Sequence, residues 1–250
     1  LVNNNPDSAN IEQLGQFVID ELPLPNRQSQ VAYRGKQPWL PKLSECPNPP
    51  MTLLSQRIRP NGVYIVIADD VETGVTISNH LIDCDESVHV VMVGSWGECE
   101  SLLPEALSRE SLLEQISVCP VTQTDFNALE GVFNEITQDL GHIKGLVYAP
   151  GETQLLLIQV KRLLVLDALL SQQTCDFCLL LSNSSGAPSA VKSGVKSAAN
   201  VYHDTFVHNK HNQGYDHWLS VTFDEPQSMR DKALFKQVLA MEKTAKLVHY

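Results

Sequence analysis

The residues with the most chemical promise lie between Phe177 and His211. An apolar run, Phe177–Leu181, gives way to a small polar loop, Ser182-Asn183-Ser184-Ser185-Gly186, and an Ala-rich segment opens near Val195. Lys196 stands at the head of that segment, with Asn200 one turn further on. In an apolar cleft a lysine amine loses its proton more readily, and it then serves as a base or condenses with a carbonyl. Side-chain amides such as those of Asn183 and Asn200 can donate hydrogen bonds to an oxyanion. His203, His208 and His211 follow, and the last two are spaced to share a helix face. A metal site there needs a third ligand and an open position, and the sequence names none. The plain alternative is a Lys196 that simply faces water.

Two other clusters invite chemistry. Asp69, Asp70 and Glu72 crowd one turn after an apolar run. Clustered carboxylates can hold Mg²⁺ or Ca²⁺, but no cation-loop signature accompanies them, and a solvated turn is the simpler reading. Cys175 and Cys178 have a CxxC spacing but run straight into an apolar strand, with no second pair for zinc. The six cysteines form no framework, and buried or edge thiols in a reducing, cytoplasmic compartment are the expectation. No Ser-His-Asp ordering or P-loop supports a hydrolase or a kinase.

The elements that must position these groups alternate between strand and helix. Strands are expected at Gly62–Ala68, Val88–Val93, Ile116–Pro120, His142–Gly151, Phe177–Leu181 and Trp218–Phe223. They are short apolar runs, as in a parallel sheet buried on both faces. Helices are expected at Ile11–Leu22, Val75–Leu81, Asp125–Leu140 and, as one or two pieces, Glu225–Met241, with a last edge strand at Ala245–Tyr250. The run LLLIQVKRLLVLDALL is apolar on almost every side and should be buried from two directions, by the sheet and by a second copy or an adjacent domain. The fold class is therefore α/β, a Rossmann-like doubly wound parallel sheet. Gln30–Leu40 reads as a strand, Leu43–Pro60 as a proline-rich connector, and the boundary falls near Pro50, giving units 1–50 and 51–250. In such sheets ligands sit beyond the carboxyl ends of the strands, where Asn183 and Lys196 fall.

The chain has 250 residues and a net charge of −11. That charge argues against a nucleic-acid partner, because phosphate binding needs concentrated Lys and Arg. No apolar stretch is long enough to span a membrane. A first residue of Leu rather than Met suggests a piece of a longer polypeptide.

The segment DFCLLLSNSSG, a spacer, and Ala198-Ala199-Asn200 resembles the active-site segment of the ketoreductase domains of modular polyketide synthases, a branch of the short-chain dehydrogenase/reductase family. The family pattern is roughly DFFVLFSSVSG followed by YAAANAFLDA. The phrase AYRGK at Ala32–Lys36 resembles the close of that family's structural subdomain, and HIKGLVYAPG resembles its GVVHAAG. The resemblance covers about residues 25–250 and implies a remnant of the structural subdomain before residue 50.

The resemblance also exposes departures. It puts the family's catalytic serine on Asn183, its tyrosine on Lys196 and its asparagine on Asn200. The glycine-rich turn TGGxGxLG, which lets backbone amides approach a pyrophosphate, becomes Ala68-Asp69-Asp70-Val71-Glu72-Thr73-Gly74, where only Gly74 survives. Carboxylates then lie where a dianion would sit, at a cost of about a few kcal/mol each. The arginine that reads the 2′-phosphate of NADPH becomes Ser95, and the adenine-contacting aspartate becomes Pro120. Lys161 is the nearest match to the family's lysine, or else a snorkelling residue on a core helix. What the resemblance implies is a degenerate domain: no cofactor, no metal, no catalysis, and a structural role beside a methyltransferase, dehydratase or acyl carrier protein, with self-association through the helix at 155–170. The alternative is nicotinamide-independent chemistry by Lys196 on a carrier-bound acyl chain.

Overall fold

The computed structural model describes residues 15–16, 19, 32–34, 37–39, 57–96, 115–121, 126–151, 156–183 and 193–223. The chain divides into two compact units, Leu1–Pro47 with Lys246–Tyr250, and Asn48–Ala245. In the first, β1 (Ala32–Arg34) and β2 (Gln37–Trp39) pair antiparallel, with Ala32 opposite Trp39 and Arg34 opposite Gln37. The single strand expected over Gln30–Leu40 is thus a hairpin. Gly35 interrupts the run, and a short Gly-containing connection is what a hairpin takes. Most of the helix expected at Ile11–Leu22, all of Glu225–Met241 and the strand at Ala245–Tyr250 lie outside the described residues.

The second unit holds a six-stranded, wholly parallel sheet in the order β5-β4-β3-β6-β7-β8. Its strands are β3 (Val63–Ala68), β4 (His89–Gly94), β5 (Ile116–Pro120), β6 (Ile143–Ala149), β7 (Phe177–Asn183) and β8 (Trp218–Phe223). All residues of β3 are buried, which is why VYIVIA carries no polar alternation. Edge strand β5 is half-exposed and ends at Pro120, where a missing N–H does little harm. The sheet is Rossmann-like, and its strand order reverses between β3 and β6.

Helix α1 (Val71–Ile82) covers one face, against Val66, Ala68 and Met92. Helices α2 (Phe126–Asp139), α3 (Leu156–Leu170) and α4 (Ser193–Asn212) are helical elements of the opposite side, where Leu129, Phe133, Leu163, Leu166 and Val207 join Ile65, Ile67 and Tyr148 in one core. A buried stripe, Gln159, Arg162, Leu163, Leu166, Leu169 and Leu170, faces α3 inward, at the spacing of one helix face. On its other side, in the single chain, Leu157 is 63% exposed and Leu164 52%. Lys210 of α4 pairs with Asp167 of α3 at 2.5 Å, which ties the two helices together. Among the described residues no helix is long and apolar enough to cross a membrane.

Candidate functional site

The crevice between β3 and β6 is where the strand order reverses, and in such sheets ligands bind at that point. The chain closes it with its own side chains. Between Ala68, the end of β3, and Val71, the start of α1, stand only Asp69 and Asp70. The helix begins four residues before the expected Val75, so Val71–Gly74 belongs to its first turn rather than to a loop. The reason is Asp70, whose side chain accepts a hydrogen bond from the Thr73 N–H at 2.7 Å and caps the helix. Glu72 adds a second carboxylate to the same turn. Together they answer the positive end of the helix dipole.

Asp69 does not project freely into the crevice, as the sequence led one to expect. One carboxylate oxygen accepts from the Gly151 N–H at 2.5 Å, just beyond β6. The other lies 2.7 Å from Arg162 Nη1. Side-chain exposure is 15% for Asp69 and 5% for Arg162, so the pair is largely shut from water. A methyl group on Gly151 would meet Asp69 Cβ at 2.9 Å, which holds this position to glycine. Gly74 is kept for a different reason than phosphate approach: a methyl group there would strike Met92 Cε at 2.7 Å, so it lets α1 lie close on β4.

Trp96 completes the closure. Its indole is buried, and its Nε1–H donates to the Ala68 carbonyl at 3.1 Å. A side chain on Gly94 would run into that ring at 2.5 Å. The indole therefore lies across the carboxyl end of β3. Ser95, beside it, is exposed, and Pro120 ends β5 with Val121 N–H bonded to Gly94 O at 2.8 Å.

The positions that the resemblance marked as catalytic fall at the ends of neighbouring elements. Asn183 is the last residue of β7, and Lys196 falls in the first turn of α4, with the half-buried Asn200 one turn on. Lys161 is exposed on the outer side of α3. The neighbouring Arg162 is the cation this helix turns inward, because it shares the face of Gln159, Leu163 and Leu166. That periodicity was present in the sequence and pointed to Arg162 over Lys161.

A buried polar group lies against this latch. Arg162 Cζ sits 5.7 Å from the centre of the Tyr148 ring, and His203 of α4 meets that ring edge-on at 6.1 Å. Burial raises the Tyr148 phenol well above its ordinary value and pushes His203 down to about 4. The other histidines do not converge on the crevice. His211 donates through Nε2–H to the Trp218 carbonyl, 2.6 Å away, and His208 is exposed. Among the described residues no three His, Cys, Asp or Glu side chains are grouped to hold a metal. The Cys175 thiol is pushed up to about 12 by burial and donates to Phe177 O, and burial also raises the Cys178 thiol well above its ordinary value. Neither is the low-pKa thiol that redox chemistry uses.

No family model matches the sequence, and no curated protein matches it. Solved structures do match in shape. A ketoreductase domain from the bacillaene assembly line superposes with a TM-score of 0.64 at 14% identity, covering 93% of this chain and 64% of that one. A-type ketoreductases from a modular polyketide synthase give 0.66 at 16%, with 86% of this chain and 52% of the other. A short-chain dehydrogenase/reductase from Serratia marcescens gives 0.53 at 12%, with 65% and 73% covered. The chain thus spans between about half and two thirds of the ketoreductase domains named. What it shares with them is a fold: the Rossmann-like α/β architecture of short-chain dehydrogenase/reductases and of polyketide synthase ketoreductase domains.

Proposed function

We propose that this chain is a non-catalytic, ketoreductase-like domain of a polyketide synthase, with a structural role in the multienzyme. The observation that carries the reading is the closed switch point. A dinucleotide needs bare backbone amides and an unoccupied helix N-terminus for its pyrophosphate. Here the strand-to-helix connection is Asp69-Asp70, Asp70 caps the helix, Asp69 bonds Gly151 and Arg162, and the Trp96 indole covers the end of β3. These residues do not fit a nicotinamide coenzyme. Asn183 and Lys196 stand where the resemblance puts a catalytic serine and tyrosine, which removes the hydroxyls that would protonate a carbonyl.

A scaffold needs a firm core and a surface for its neighbours. The buried sheet supplies the first. Leu157, Ile158 and Leu164 on α3 supply an apolar outer face suited to a neighbouring methyltransferase, dehydratase or carrier domain, or to a second copy. Calorimetric titration with NADPH, together with assay of a β-ketoacyl thioester surrogate, tests the reading. No heat of binding and no turnover is the expected result. Micromolar binding with turnover would overturn it.

A further inference from the structure

At the start of β8, the end of the sheet opposite the closed crevice, four rings form an arc with a cation between its ends. Phe206 of α4 meets Trp218 edge-on at 5.0 Å, Trp218 lies 6.0 Å from the His217 ring, and His217 meets Tyr215 edge-on at 6.1 Å. Lys210 Nζ spans the two ends, 5.5 Å from the centre of the Phe206 ring and 5.0 Å from that of Tyr215, both within the reach of a cation–π contact. The same nitrogen lies 2.5 Å from Asp167 Oδ1 of α3. Two rings and a carboxylate thus converge on one atom. Local sequence builds the arrangement. Phe206 and Lys210 are four residues apart and share a face of α4. Gly214, at φ +88°, turns the chain back after the helix, and the Tyr215 N–H bonds to Lys210 O at 3.0 Å. Trp218 is buried behind the arc, whereas Tyr215 is 47% exposed, so the front faces water.

The geometry defines what the site recognises. Asp167 accepts one N–H, and the ring faces attract positive charge and pack against the alkyl groups that carry it. A protonated alkylamine offers all three. A sodium ion has neither N–H nor alkyl group, and a quaternary ammonium has no N–H. Burial first, then the Lys210 charge, hold His217 below the ordinary imidazole value, so at neutral pH it contributes a ring and not a charge. We propose that Asp167, Phe206 and Tyr215, backed by Trp218 and His217, form a binding site for a protonated alkylamine, which Lys210 fills as a tethered ligand. Lysine carries its head group on a flexible stem, so the ammonium can yield the site without unwinding α4. A free amine competes with it, and binds more tightly to a chain that lacks the Lys210 ammonium. The site stands apart from the coenzyme crevice and does not depend on whether that crevice binds a dinucleotide.

Lys210→Ala vacates the site and leaves Asp167 without its partner. Thermal unfolding of this variant in dimethylammonium chloride, against sodium chloride at the same ionic strength, tests the proposal. The amine should raise the midpoint saturably, by about 3 °C at ten times its dissociation constant. The rise should be at least tenfold less sensitive to amine concentration in the parent chain, and it should vanish when Asp167→Asn or Tyr215→Leu is added to Lys210→Ala. Proton NMR of the parent chain reads the tethered ligand directly, even where Lys210→Ala fails to fold. The Lys210 Cε protons, assigned by their loss in Lys210→Arg, should lie upfield of those of the other lysines, and Tyr215→Leu should return them toward the ordinary position. Equal effects of sodium and dimethylammonium on a folded Lys210→Ala, or ordinary Lys210 shifts in the parent chain, would overturn the proposal.

Discussion

Asp69 and Arg162 meet at 2.7 Å across the reversal point of the sheet, and the second Asp69 oxygen takes the Gly151 N–H. The pair thereby joins the ends of β3 and β6 to α3. Removing one partner strands the other in a site where Arg162 is 5% exposed. Asp69→Ala and Arg162→Met should each cost about 3–5 kcal/mol. The double variant should cost clearly less than the sum, because neither charge is then left alone. Urea unfolding of the four proteins measures the coupling, and simple additivity would show that the contact does not bind the two residues energetically.

Asp70 has a separate, smaller task. As the N-cap of α1 it accepts from Thr73 N–H at 2.7 Å. Asp70→Ala should lower stability by about 1 kcal/mol, while Asp70→Ser and Asp70→Asn keep an accepting oxygen and should stay within a few tenths of that of the parent. Equal losses for all three in thermal unfolding would mean that charge, and not capping, is what the position supplies.

The sheet was legible in the sequence because a parallel strand buried on both faces must be a short apolar block. VYIVIA and the five later blocks have no other stable use. The site was less legible, because a carboxylate in a turn looks the same whether it faces water or a buried arginine. Asp69 read as free repulsive charge, yet its partner lies 93 residues away in sequence, and only the fold brings them together. Asp70 and Glu72 read as loop residues, since helix starts are judged from apolar spacing and α1 begins with a polar turn. Trp96 and His203 gave even less, because burial of an aromatic or an imidazole is a property of what packs over it.

Trp96 offers a direct reading of the crevice. Its indole lies over the end of β3 and is held by Ala68 O. Trp96→Ala should cost about 3–5 kcal/mol as a buried aromatic, and Gly94→Ala, which drives a methyl group into the ring and the Ala68 carbonyl, about 1–3 kcal/mol. In the parent chain, tryptophan emission should not change as NADPH is added to millimolar levels. A saturable quench that disappears in Trp96→Phe would show the coenzyme reaching the end of β3.

The buried thiols set a reactivity order. Burial lifts Cys175 to about 12 and raises Cys178 well above the ordinary thiol value, so at pH 8 both thiols stay protonated. In the native chain both should resist alkylation long after the half-exposed Cys84, and denaturant should abolish the difference. Mass spectrometry of timed iodoacetamide digests reads the order. Early labelling of Cys178 would mean that β7 opens readily.

His203 gives the chain an acid limit. Its folded value, about 4, lies below the unfolded value near 6.5, so between these the unfolded chain holds the extra proton. Stability linked to this ring is fully present above about pH 6.5 and falls as the pH drops toward 4, below which the loss is complete. The span corresponds to a loss on the order of 3 kcal/mol, and its cause is burial of the ring. His203→Leu should flatten the stability profile from pH 6.5 to 4. An unchanged slope in that window, by urea unfolding at fixed ionic strength, would place the proton uptake elsewhere in the chain.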